Sequence, residues 1–96
     1  MFDLPTDTKT ARKRASSFRK FLLEDGFDMM QFSVYSRHVP TLENAEVHIG
    51  RVEKKIPPEG EIRVITLTDK QFEKMRTFLG KIRVPNESAP KQLQFF

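Results

Sequence analysis

A run of basic residues near the N-terminus is the first feature of this sequence that could do chemistry. Neighbouring like charges on a helix repel by roughly 0.2–0.5 kcal/mol each, so a face that only confers solubility normally carries interspersed acids. An anionic partner explains a one-signed face, and the phosphate backbone of a nucleic acid is the commonest such partner. An ordinary solvated face is the alternative. No acid lies between Asp7 and Glu24, whereas that stretch carries Lys9, Arg12, Lys13, Arg14, Arg19 and Lys20.

Asp3 is the acidic residue that the pattern singles out, because it closes a short apolar segment just before Pro5. Mg²⁺ is usually held by one or two carboxylates together with waters and substrate phosphates. One carboxylate per chain makes a weak metal site, because it supplies a single protein ligand. A two-fold dimer that brings two copies of Asp3 together would supply a second carboxylate. The competing interpretation is an exposed acid at the entry to a loop or a capping residue that faces the helix. Asp7 is better explained as part of a helix N-terminus.

Several other chemistries are disfavoured by residue type and spacing. The chain has no cysteine, and His38 and His48 lack the spacing of a zinc site, so thiolate and zinc chemistry are excluded. Its four glycines are isolated, which argues against nucleotide-binding loops. Arg37 lies beside His38 at the predicted end of a strand, where it could contact phosphate.

The element that would carry the basic face is a helix that follows Thr6-Asp7-Thr8 and runs to Asp25. Those three residues supply capping side chains, and Gly26 is a typical residue just past a helix end. The apolar stripe has helical spacing and leaves the basic residues pointing to solvent. It consists of Ala11, Ala15, Phe18 and Leu22.

The rest of the chain predicts further strands and helices. Period-two alternation predicts one strand over 29–35, which runs on or bends through 37–39, and a short second strand before the next helix is left open. Thr41 caps a second helix over 42–55, whose stripe is Leu42, Ala45, Ile49, Val52 and Ile56. A largely buried strand over 61–67 follows, then a helix from Asp69 to about Leu79 that ends at Gly80.

Length and composition bound the fold. A chain of 96 residues with 38% apolar residues and a net charge of +4 is one foldable domain and not a large multidomain enzyme. The order of elements predicts an α+β, ferredoxin-like βαββαβ sandwich over 1–80, with an extension over 81–96. Leu93, Phe95 and Phe96 give that extension an apolar end, which packs either on its own domain or as a strand on another subunit. The lack of cysteine, signal sequence and spanning segment favours a cytoplasmic protein without membrane contact.

The order and spacing of these segments resemble the small CRISPR-associated protein family Cas2, in particular the form that accompanies a single large effector nuclease. No single motif is specific, but their succession covers essentially the whole chain. It runs through MFDLPTDT, the basic helix TARKRASSFRKFLLEDGF, the strand QFSVYSRHV, the turn PPEG, the segment EIRVITLTDKQF and the apolar C-terminus.

The resemblance implies a ferredoxin-like homodimer in which Asp3 faces its symmetry mate, binds Mg²⁺ or Mn²⁺ and acts as the catalytic acid of a nuclease on RNA or double-stranded DNA. It also implies a scaffold for the Cas1 integrase during capture of new spacers. Arg12 matches a helix position linked to substrate phosphates, and the tail at 92–96 matches a terminal strand that pairs with the partner subunit. Family members carry several apolar residues before the acid, whereas this chain has Met1 and Phe2, so we expect natural residues to precede Met1.

Three functions therefore stand side by side. The first is a metal-dependent endonuclease centred on Asp3, for which the residues supply no visible general base. The second is a nucleic-acid-binding scaffold for spacer acquisition, which we favour. The third is a toxin-like, metal-dependent ribonuclease of similar fold.

Overall fold

The computed structural model describes residues 1–85. Within that range, helices alternate with short strands that pair as three separate two-stranded antiparallel ladders, β1 with β4, β2 with β3 and β5 with β6. In chain order the elements are β1 (Phe2–Asp3), α1 (Lys9–Glu24), β2 (Asp28–Gln31), β3 (Val34–Ser36), α2 (Leu42–Lys55), β4 (Glu61–Ile62), α3 (Asp69–Glu73), β5 (Thr77–Leu79) and β6 (Ile82–Val84).

Helix α1 is confirmed with its predicted caps and stripe. The Ala11 amide donates to Thr8 Oγ1 at 3.0 Å, which satisfies a backbone N–H that the first turn leaves without a helical partner. Gly26 follows the helix end with φ of 97°. The buried residues of the helix are the four that its spacing predicts, Ala11, Ala15, Phe18 and Leu22.

The predicted single strand over 29–35 is wrong, because this stretch folds back on itself as a hairpin. Met29 lies opposite Tyr35, with an irregularity in the ladder between Met29 and Gln31. The turn places Ser33 at φ of 61° and leaves Phe32 88% exposed. Alternation of period two does not distinguish one strand from two, and the turn lacks the Asn-Gly or Asp-Gly pair that usually signals a hairpin. The strand does not continue through 37–39 either.

Helix α2 has the predicted bounds, but its buried face differs from the predicted stripe. Thr41 Oγ1 accepts from the Asn44 amide at 3.0 Å and starts the helix. Ala45 and Val52 are buried as expected, whereas Leu42 is 74% exposed. His48 is also buried. Asp25, at the C-terminal end of α1, is the polar partner that its ring has in place of water.

The predictions for residues 61–80 need larger corrections. The strand predicted over 61–67 is limited to Glu61–Ile62, and Val64, Ile65 and Leu67 are exposed. The helix predicted to reach Leu79 ends at Glu73. Gly80, at φ of 64°, turns the chain between β5 and β6 and does not end a helix.

The α+β class is confirmed, whereas the predicted single ferredoxin-like sheet is not formed by the described strands, which remain in three ladders. The homodimer and the division into 1–80 and 81–96 stay predictions. The predicted dimer residues Leu93, Phe95 and Phe96 lie outside the described residues.

The core joins α1, α2 and the first strand. The ring of Phe2 packs edge-on against Phe18 at 5.2 Å and is stacked with Tyr35 at 5.7 Å. The Phe2 amide donates to the Ser33 carbonyl at 3.0 Å, so β1 lies between the β2–β3 turn and β4. This anchoring fixes the residue that follows Phe2, which is Asp3.

No helix within residues 1–85 combines the length and the apolar character needed to cross a membrane.

Candidate nucleic-acid interface

Asp3 is exposed at the end of a strand whose preceding residue, Phe2, is buried. It lies directly opposite Glu61 in the antiparallel β1–β4 pair, which places both carboxylates on one face of the ladder. Both border a shallow hollow of about 180 Å³ that Arg63 and the β2–β3 turn complete. Glu61 also forms an exposed ion pair with Arg63. The exposure predicted for Asp3 is thus observed, with a neighbouring acid that sequence reasoning missed.

Gly60 holds the turn that brings Glu61 to Asp3. Its φ is 102°, which favours glycine, and a Cβ there would lie 2.7 Å from the carbonyl oxygen of Asp3. The turn and the strand end therefore touch backbone to backbone. The glycine at the end of the Pro57-Pro58-Glu59-Gly60 turn is the sequence signal that could have pointed to this approach.

The side chains at Asp3 suit a hard cation, because carboxylate oxygens are the ligands that Mg²⁺ and Mn²⁺ prefer. Among the described residues, Asp3 and Glu61 are placed so that they could hold such an ion if Glu61 turned away from Arg63. Within residues 1–85 no three His, Asp or Glu side chains converge as a ligand group. Phosphate oxygens, waters or a second copy would complete the coordination.

The basic face of α1 is exposed as predicted, with Arg19 half-buried. Arg12, Lys13, Arg14 and Lys20 are all exposed. Arg12 Nη1 donates to the carbonyl oxygen of Thr6 at 3.1 Å, which ties its guanidinium to the loop after Asp3. Lys20 Nζ lies 3.9 Å from Glu24 Oε1, a loose contact between two exposed side chains. The helix thus presents cations beside the end of β1.

Arg37 lies apart from that face. Its guanidinium packs against Gly26, where an added Cβ would displace the flexible end of the arginine, and the φ of 97° at Gly26 favours glycine. The arginine is half-buried at the C-terminal end of α1. The predicted position of Arg37 at a strand end agrees with the structure, because β3 ends at Ser36; its role in binding nucleic acid stays a prediction.

A groove of about 600 Å³ runs along the outer side of α1, and we call it the α1–α2 groove. One wall is α1, and the other is formed by the C-terminal end of α2 and the two prolines after it. Lys55 belongs to this wall and was not singled out from the sequence. The charged residues along the groove are Lys13, Arg14, Lys20, Glu24 and Lys55.

A buried ionic cluster fixes α1 against α2. Asp25, with a side chain only 8% exposed, accepts from His48 Nδ1 at 2.8 Å and from Arg51 Nη1 at 3.0 Å. Burial by itself would raise the pKa of Asp25, but the hydrogen bonds and charges of His48 and Arg51 outweigh it and lower that pKa. His48 therefore has a structural role, and the cluster holds the two helices that border the groove.

Similarity to known proteins adds to this geometry. The family described as "CRISPR associated protein Cas2" matches residues 1–75. A protein of Parvibaculum lavamentivorans named "CRISPR-associated endoribonuclease Cas2" is 56% identical over 96 residues, which cover 100% of this chain and 95% of the relative. Proteins of the same name from Flavobacterium psychrophilum and Streptococcus mutans are 50% and 47% identical over 95 residues, covering 99% of this chain and 83% and 89% of those relatives.

These matches define the chain as a CRISPR-associated protein. It belongs to the Cas2 family, as the order of its sequence segments indicated.

Proposed function

We propose that this protein acts in CRISPR spacer acquisition as a nucleic-acid-binding homodimer that scaffolds the Cas1 integrase. The single observation that carries the proposal is the exposed basic face of α1, which has no acid between Asp7 and Glu24. A phosphate backbone that binds to such a face releases its condensed counterions, and this release stabilises the complex. Binding of this kind does not require cleavage of the bound strand. Family membership favours this role over the toxin-like ribonuclease.

The binding step follows from the placement of the cations. Arg12 is tied to the loop after β1 through the carbonyl oxygen of Thr6, and it remains exposed on the basic face. Contacts from such side chains to phosphate oxygens fix the register of a duplex without reading its sequence. Binding without sequence preference suits a protein that must hold fragments of arbitrary sequence for an integrase. The Asp25 cluster joins the end of α1 to α2 and would hold the two helices in a fixed arrangement when a duplex is bound.

Metal-dependent endonuclease activity is the second candidate, and two observations favour it. The relatives are named endoribonucleases, and Asp3 stands exposed opposite Glu61. A bound Mg²⁺ or Mn²⁺ would polarise the phosphodiester and lower the pKa of an attacking water. Asp3 would hold that ion, a second copy of Asp3 or Glu61 would add a carboxylate, and the basic side chains would orient the strand.

The test separates binding from cleavage with one substitution. Highly purified wild-type protein and Asp3→Ala are each given duplex DNA and single-stranded RNA with Mg²⁺ or Mn²⁺, and binding is measured on the same samples. We expect equal, salt-sensitive duplex binding in both proteins, and spacer acquisition that persists when Asp3→Ala replaces the wild type in cells. Asp7→Ala, at an exposed acid beside the first helical turn, is the matched control.

Two outcomes would change the assignment. Cleavage that disappears in Asp3→Ala but not in Asp7→Ala, together with loss of acquisition, would make the endonuclease the biological function. Absence of duplex binding in the wild type would remove the scaffold proposal itself.

A further inference from the structure

We infer that the α1–α2 groove is a seat for a phosphodiester backbone and that Lys55 of α2, together with Lys13 and Arg14 of α1, binds it. This inference rests on the proposed nucleic-acid-binding function and assigns that function to a particular surface. The proposed binding surface is then the cleft between α1 and the C-terminal end of α2, and not the exposed face of α1 alone.

The charge of the groove points to an anion. Four cations, contributed by two different helices, border it, against a single acid, Glu24. That acid is itself only in a 3.9 Å contact with Lys20, and both side chains are largely exposed. Exposed pairs of this kind are weak, so Lys20 can turn to a ligand at little cost. The groove thus offers a net positive cleft, which focuses the field on an anion more strongly than a convex face does.

The shape of the groove suits an extended chain. Lys13 and Lys20 are seven residues apart on α1, hence about 10 Å along the helix axis. Phosphates of one strand in a duplex recur about every 3.4 Å along its axis, so this span matches about three of them. Ser17 lies between these cations along α1 and Thr10 lies just before them, and both hydroxyls can donate to phosphate oxygens. Pro57 and Pro58 form the opposite wall together with Lys55, and the proline rings restrict the backbone there.

Three of the predicted contacts lie outside the groove. Arg12 donates to Thr6, Arg37 packs against Gly26, and Arg19 is half-buried. None of them lines the groove. The groove residues are therefore the cations that a strand can reach together.

The experiment compares single substitutions in the full-length protein by fluorescence anisotropy with a short blunt DNA duplex at about 0.15 M salt, where charges more than about 8 Å away are largely screened. Lys55→Ala should weaken binding about two- to fivefold and reduce the salt slope by about 0.9. Glu24→Gln should tighten binding by a similar factor. Lys54→Ala, which removes the same charge from the same helix end outside the groove, should leave the affinity unchanged.

The outcomes are distinguishable. A wild type that binds no nucleic acid overturns the proposed function and this inference together. A wild type that binds, with Lys55→Ala and Lys54→Ala equally weakened and Glu24→Gln unchanged, overturns the inference alone. Single-stranded RNA of the same sequence identifies the source of the backbone, and either nucleic acid supports the groove. Polyglutamate is the third probe. If Lys55→Ala weakens the binding of polyglutamate but not of either nucleic acid, the groove binds an acidic polypeptide and the inference is overturned.

Discussion

Gly60, in the turn that precedes β4, lies against the main chain of Asp3. A Cβ on Gly60 would lie 2.7 Å from the Asp3 carbonyl oxygen and 2.6 Å from Leu4 Cδ2, and the φ of 102° is one that other residues rarely adopt. The candidate acid is therefore held by a turn more than fifty residues away in sequence. Its position depends on a residue that carries no functional group.

Gly60→Ala should lower the free energy of unfolding by about 2–4 kcal/mol, because it combines an unfavourable backbone conformation with a steric clash. Urea denaturation measures the change. Gly50→Ala is the matched control, since Gly50 lies inside α2 with nothing within 4 Å of a new Cβ. That control should gain about 0.5–1 kcal/mol from helix propensity. Equal effects at the two glycines would contradict the backbone contact at Asp3.

Ser33→Gly should stabilise the protein by about 1 kcal/mol. Ser33 has φ of 61° in the β2–β3 turn, and glycine relieves the strain that a Cβ suffers in that region. Thermal or urea unfolding gives the difference. If residues 29–35 instead formed one continuous strand, the same substitution would destabilise the protein, because glycine weakens a strand interior. The sign of the change therefore decides between the hairpin and the single strand.

The buried Asp25 should make stability fall in acid. Its pKa is lower in the folded protein than the ordinary value of 3.8, so as the pH falls the unfolded state takes up the proton first. The stabilisation is present above about pH 5 and is lost as the pH drops through the folded pKa. Asp25→Asn should be less stable than the wild type at neutral pH, and the gap should narrow by about 1.4 kcal/mol for each unit by which the folded protein lowers that pKa. Parallel stability profiles from pH 7 to pH 2 would contradict this account.

The helices could be read from the sequence because their signals are local. Thr8 and Thr41 cap α1 and α2, and the stripes follow within four residues of each cap. The hairpins could not, since the turn at Ser33 lacks the usual residues and Gly80 fits both a helix end and a hairpin turn.

The candidate site divides in the same way. Exposure of Asp3 and of the basic face follows from the pattern around Phe2 and along α1. The approach of Glu61 to Asp3, and of Lys55 to α1, depends on contacts between segments far apart in sequence. Periodicity carries no information about such pairings.

Salt-dependent binding of duplex DNA tests the central claim most directly. Wild-type protein is titrated against a labelled duplex over a series of salt concentrations, beside the double variant Lys13→Glu with Arg14→Glu. We predict that the logarithm of the association constant falls linearly with the logarithm of salt concentration in the wild type, with a slope of about −0.9 for each phosphate contacted, and that the double variant loses binding. An association constant that changes neither with salt concentration nor with the charge reversal would contradict the account, and so would a wild type that does not bind the duplex.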